Sequence, residues 1–142
     1  MLDFSGAVVL VACTKTKRTY ETVAREMFVS PWFLGVRGIV EKSGARWYVL
    51  SALHGLLQPE TVIAPYTATL DGAVVRVRRV WAEGVFEALM TAEPGLSRVV
   101  IFAGARYREF LVPKLRERGI AVEIPMERLP RGRQLAWLSE HA

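Results

Sequence analysis

Three short runs constrain this chain more than any other feature. Residues 7–12 (AVVLVA), 47–52 (WYVLSA) and 99–103 (VVIFA) are almost unbroken in apolar and β-branched character. Strands exposed on one face alternate apolar with polar residues, whereas strands buried on both faces do not. The three runs therefore predict a parallel sheet with helices on both sides. A weaker run, residues 121–124 (AVEI), supplies a fourth strand.

Helical patterns fill the intervals. Ser30-Pro31 reads as an N-cap with proline at the first helical position. Trp32, Phe33, Val36, Ile39 and Val40 then recur at helical spacing, and Gly44 supplies the stop. Val77, Val80, Trp81, Val85, Ala88 and Leu89 make a second apolar face, ended by Pro94-Gly95. A third helix is expected over residues 106–118, with Pro113 starting or kinking it and Gly119 closing it. Residues 134–140 read as a short helix carrying Leu135 and Leu138. Strand and helix alternate four times, the pattern of a three-layer α/β domain with a mainly parallel sheet of about four strands. The 142 residues fit one such domain, residues 1–142. Residues 56–75 show no strong period and read as a long loop, a length that hints at function.

Composition narrows the class. Apolar residues make up 51% and charged residues 23%, so disorder is excluded as the main state. No run approaches the ~20 apolar residues of a membrane span. Residues 7–12 follow Asp3 rather than a basic segment, so they are not read as a signal peptide. Cys13 is the one cysteine, which excludes an internal disulfide, and no metal-ligand spacing occurs. The expectation is a cytoplasmic protein with no membrane partner, no metal and no cofactor. The 19 Lys and Arg against 14 Asp and Glu give +5, with arginine outnumbering lysine 15 to 4. That excess favours a polyanionic partner, although a solvated basic surface has the same composition.

In open α/β sheets, ligands bind outside the carboxyl ends of the strands. The residues there are small, polar or basic in every case. The first run is followed by Cys13-Thr14-Lys15-Thr16-Lys17-Arg18, whose hydroxyls, amides and three cations suit a phosphate. The spacing is not that of a P-loop. Cys13 has two readings, a nucleophile activated by the adjacent lysines or a small buried residue at a strand end. The second run leads to Ser51, His54 and Gly55. His54 sits in a glycine turn, where it can move a proton or stabilise a departing anion, or merely cap backbone. The third run leads to Gly104, which permits close backbone approach, then Arg106 and Tyr107. Tyr66, in the long loop, can stack on a base or simply pack. Arg131-Gly132-Arg133 forms a further cationic turn. The candidate catalytic residues are His54 and Cys13. The candidate binding residues are Thr14, Lys15, Lys17, Ser51, Gly55, Tyr66, Gly104, Arg106 and Tyr107.

These blocks carry a resemblance over nearly the whole chain. Cys13-Thr14-Lys15-Thr16-Lys17, Met27-Phe28-Val29-Ser30-Pro31-Trp32-Phe33, Leu50-Ser51-Ala52-Leu53-His54-Gly55-Leu56-Leu57, Pro65-Tyr66-Thr67-Ala68-Thr69-Leu70, Ala103-Gly104-Ala105-Arg106-Tyr107 and Gln134-Leu135-Ala136-Trp137-Leu138 occur in the order found in small bacterial and phage proteins of uncharacterised function, often labelled peroxide-stress YaaA-like. The YaaA link implies DNA binding. The first two blocks are also similar, more distantly, to the core of archaeosine synthases, which modify a deazaguanine base in transfer RNA. That core is in turn similar to the uracil-DNA glycosylase-like fold. The chain departs from the glycosylase pattern in having no acidic residue directly after its first strand, which counts against a hydrolytic glycosylase.

The expectation is a nucleobase- or nucleotide-handling enzyme, of glycosidase or base-transfer type, acting on nucleic acid or nucleosides. Lys15, Lys17 and Arg106 would hold phosphate, Tyr66 would stack on the base, and His54 would stabilise the departing base. The alternatives are a non-enzymatic DNA-binding stress-response protein and a regulatory nucleotide-binding domain.

Overall fold

The computed structural model describes residues 2–142. Its main sheet contains β1 (Val8–Ala12), β3 (Arg46–Ser51), β4 (Gly55–Leu57), β6 (Arg98–Phe102) and β7 (Ala121–Glu123), in the order β4-β3-β1-β6-β7. β1 pairs in parallel with β3 on one side and β6 on the other, and β7 is parallel to β6. The four expected strands are all present. The fifth, β4, returns antiparallel along β3 and forms the edge. At three residues it is too short for a period to reveal it.

Alternation along the strands divides the core. Val9, Val11, Val49, Val100 and Phe102 face one side of the sheet, where α2 (Pro31–Ser43) supplies Phe33, Val36 and Val40 and α6 (Arg131–His141) supplies Leu138. Val8, Leu10, Leu50, Val99 and Ile101 face the other, against α3 (Val75–Ala92) and α5 (Leu111–Glu117). The strands are buried on both faces, as their unbroken apolar runs require. The chain thus forms a three-layer α/β unit.

Local chemistry explains most element boundaries. The Ser30 hydroxyl accepts from the Phe33 N–H at 3.2 Å and caps α2. Gly44 ends α2 with φ +75°, a left-handed conformation that favours glycine. The single helix expected over 106–118 is two, α4 (Ala105–Arg108) and α5. Pro113 falls in the first turn of α5, where the missing N–H has no intrahelical acceptor to lose.

Two further expectations need correction. Residues 56–75 are not one loop: they include the end of β4 and β5 (Val62–Ile63), which pairs antiparallel with β2 (Thr22–Val23). Beside this small sheet lies α1 (Ala24–Met27), anchored by the Ala24 N–H to the Thr61 carbonyl at 2.8 Å. The buried face of α3 also differs from the pattern. Val85 and Leu89 are buried as expected and Trp81 partly so, but Val77, Val80 and Ala88 point to solvent, and Arg78 and Ala82 are buried in their place. Arg78 sets this rotation, donating to the Glu109 carboxylate and the Ala73 carbonyl. No helix among the described residues is long and apolar enough to cross a membrane.

Candidate functional site

The chain turns from β1 to β3 on one side and continues through β6 and β7 on the other. The carboxyl ends of β1 and β6 therefore flank a point where the strand order reverses, the position at which such sheets open a crevice. A cleft of about 860 Å³ lies there. Its walls are the loop after β1, the stretch 66–71, the turn into α4, and the segment leading into α6.

Cys13 forms the inner end. Its N–H donates to the Leu50 carbonyl at 2.9 Å, extending the parallel ladder one residue beyond β1. Its thiol lies 3.5 Å from the Tyr107 hydroxyl, a contact in which either group can donate. Tyr107 comes from α4, and its ring meets Trp81 edge to face at 5.4 Å. Tyr66 enters from the opposite wall. Its hydroxyl lies 2.7 Å from the Ser51 hydroxyl, which is fully buried. Burial, and then the Cys13 thiol beside them, pushes both phenols well above their ordinary values. Both are therefore neutral hydroxyls at physiological pH, able to donate to a ligand heteroatom.

The loop after β1 is tied down by the α2 cap. The Ser30 hydroxyl donates to Thr14 Oγ1 at 2.9 Å, so one side chain fixes both the helix start and the loop. The backbone of Lys17 forms an isolated antiparallel bridge with that of Phe28, and its ammonium stands 4.6 Å from the Tyr66 ring centre and 5.7 Å from that of Phe28. Burial lowers its pKa, opposed by the Cys13 thiol. Five cations line the cleft, Lys15, Lys17, Arg106, Arg108 and Arg131, against two carboxylates, Asp71 and Glu127. Arg108 is engaged by Glu127 at 3.3 Å, and Arg106 stands 3.8 Å from Glu109. Lys15 is exposed with no ion-pair partner among the described residues. A concave, low-dielectric wall with an excess of cations attracts anions.

Eight of the eleven candidate catalytic and binding residues line this cleft: Cys13, Thr14, Lys15, Lys17, Tyr66, Gly104, Arg106 and Tyr107. Ser51, His54 and Gly55 do not. β3 is not followed by a helix; it turns directly into β4, with Ser51 paired to Gly55 and Gly55 at φ +73°. That hairpin puts its residues behind Tyr66. The His54 N–H donates to Ser51 Oγ at 3.0 Å, and its exposed ring meets Tyr66 edge to face at 5.5 Å.

Sequence reasoning missed Arg108 and Trp32 in the wall. Arg108 gave no signal of its own. Trp32 read as core and is buried there, but it also borders the cleft: its indole N–H donates to Gln134 Oε1 at 2.8 Å and the Arg131 guanidinium lies 5.8 Å over its ring. Among the described residues, no group of three His, Cys, Asp or Glu side chains is placed to hold a metal ion.

Neither curated proteins nor solved structures yield a match to this chain. A sequence model covering residues 8–140, from the first strand through the last helix, does match, and by it the chain belongs to DUF6884, a family of unknown function.

Proposed function

We propose that the cleft binds a nucleotide, free or within a nucleic acid, and acts on its base as an N-glycosidase or base transferase. The observation that carries this reading is the meeting of Cys13 and Tyr107 at the inner end of a cation-lined cleft, with Tyr66 opposite. Lys15, Lys17 and Arg106 supply positive charge for phosphate. Tyr66 offers an aromatic surface for a base, with Lys17 against one face of the ring. Tyr107, held neutral, donates to the base as negative charge develops on it. This role was expected of His54; in this reading His54 instead supports Tyr66 from behind. Cys13 is the nucleophile candidate, and Asp71, on the cleft wall, is the carboxylate available to orient an acceptor. A base within a duplex would have to be flipped out first.

The likeness to YaaA, to archaeosine synthases and to the uracil-DNA glycosylase-like fold belongs to this same reading, as does a cytoplasmic setting. Its support is the placement of two of the shared strand-end blocks, those that begin at Cys13 and Ala103, in one cleft. A concave site favours the enzyme over a DNA-binding stress protein, whose cations would serve equally on a flat face.

The test is calorimetric titration with nucleoside monophosphates and with single-stranded DNA and RNA, followed by mass spectrometry for released base. Binding to oligonucleotides is expected to weaken with salt at about −0.7 in log K per log salt for each phosphate neutralised. Lys15→Ala with Arg106→Ala is expected to flatten that slope. Tyr107→Phe is expected to keep affinity and lower turnover by about 10²-fold. Binding without base release would leave a regulatory nucleotide site. Absence of binding to every probe at low salt would remove the proposal.

A further inference from the structure

The start of α3 is unusual for a surface helix. Val74, Val75, Val77 and Val80 are 47–66% exposed, four of the seven large hydrophobics so exposed among the described residues. At helical spacing Val77, Val80, Gly84 and Ala88 form one stripe, turned away from the buried Arg78, Ala82, Val85 and Leu89. Contiguous apolar surface of this kind marks a contact site.

Gly84 adds an independent observation. It lies inside an 18-residue helix, where glycine destabilises relative to alanine. Nothing within the chain requires it: its φ is negative, and a Cβ there would meet no atom within 4 Å. The space above it faces outward.

Charge selects the occupant. Arg76, Glu83 and Glu87 flank the stripe on one side, and none forms an ion pair among the described residues. Glu83 and Glu87 are spaced i,i+4 and repel each other. The flank is thus basic at its N-terminal end and acidic at its C-terminal end. A nucleic acid would meet the two glutamates.

We propose that this stripe is a homodimer interface, in which α3 of a second copy packs antiparallel across it about a two-fold axis that crosses the stripe between Val80 and Gly84. Val80 then faces the partner's Gly84, whose missing side chain admits the valine, and Val77 faces the partner's Ala88. Arg76 lies against the partner's Glu87, and the two-fold axis makes that pair twice. Parallel packing would instead put the two flanks on opposite sides of the seam, where Arg76 and Glu87 do not meet. The arrangement is independent of what the cleft binds.

Sedimentation of the full chain at about 100 µM tests this, a concentration chosen to reveal association in the micromolar range. A dimer is expected for the parent and a monomer for Val80→Arg. Gly84→Arg, at a position with open space around it, should dissociate the dimer by a second route. Arg76→Glu and Glu87→Arg should each weaken association about tenfold, and the two together should restore it. Thermal melting checks that each variant folds. A parent that is monomeric at this concentration, a dimer unchanged by both arginine substitutions, or a double charge reversal that recovers nothing would each overturn the proposal.

Discussion

Ser51 shows how much of the site rests on a residue that never reaches the cleft. Its hydroxyl bonds the Tyr66 phenol and accepts the His54 N–H, while its carbonyl accepts the Trp81 indole N–H at 2.8 Å. Removing the hydroxyl takes a partner from both groups in a partly buried setting. Ser51→Ala is therefore expected to cost about 1–3 kcal/mol. In urea denaturation this appears as a lower midpoint at unchanged slope. His54→Ala should change stability by less than about 0.5 kcal/mol, because the ring is exposed and the backbone bond survives. A large loss for His54→Ala, or none for Ser51→Ala, contradicts the hydrogen-bond pattern. The contrast also marks what sequence reveals at this scale. Lys15, Arg106 and Tyr107 were legible because their chemistry follows strands that end in the cleft. Ser51 and His54 followed a strand too, but one that hairpins back, and no residue type distinguishes the two outcomes beforehand.

At the scale of elements, legibility tracked local chemistry. α2 was readable at both ends because Ser30, Pro31 and Gly44 each fix a terminus through backbone geometry or a missing N–H. Ser30→Ala should cost about 1 kcal/mol through the lost cap. It should also loosen Thr14, so that any ligand held by the loop after β1 binds more weakly. The face of α3 was read correctly at Val85 and Leu89 but not in its first two turns, because hydrophobicity was the only guide there, and Arg78 outweighs two valines by reaching Glu109 and the Ala73 carbonyl. Arg78→Ala should therefore cost about 2 kcal/mol or more, leaving both acceptors short of a donor. Arg76→Ala, on the exposed flank, should change monomer stability by less than about 0.5 kcal/mol. Equal losses for the two arginines in denaturation below the dimerising concentration would mean that Arg78 does not set the helix's rotation.

For the whole molecule, three buried-on-both-faces strands were enough to predict the layers and the cleft's edge, because a parallel sheet has few other solutions. The pieces that stayed hidden, β2, β4 and β5, are two or three residues long and owe their existence to neighbours rather than to their own pattern. The two ends of the sheet share one titration property, which gives a test of the assembled fold. At the end away from the cleft, Tyr48 donates to Glu93 Oε2 at 2.6 Å, beside Arg46, which holds Glu93 at 2.8 Å. Burial, then the bond to Glu93, pushes this phenol up to about 12. At the cleft, Tyr66 and Tyr107 are raised as well. A phenol raised in the folded state keeps its proton there after the unfolded chain has begun to lose its own. The stability it contributes is thus complete below the unfolded value of about 10 and declines as pH rises toward the folded value. The melting temperature is expected to be flat with respect to these groups near pH 8 and to fall steadily between about pH 10 and pH 12. Tyr48→Phe cannot ionise, so its melting temperature should fall less across that window than the parent's, even if it starts lower for want of the bond to Glu93. Parallel declines in the two proteins would mean that Tyr48 is not held neutral by the fold.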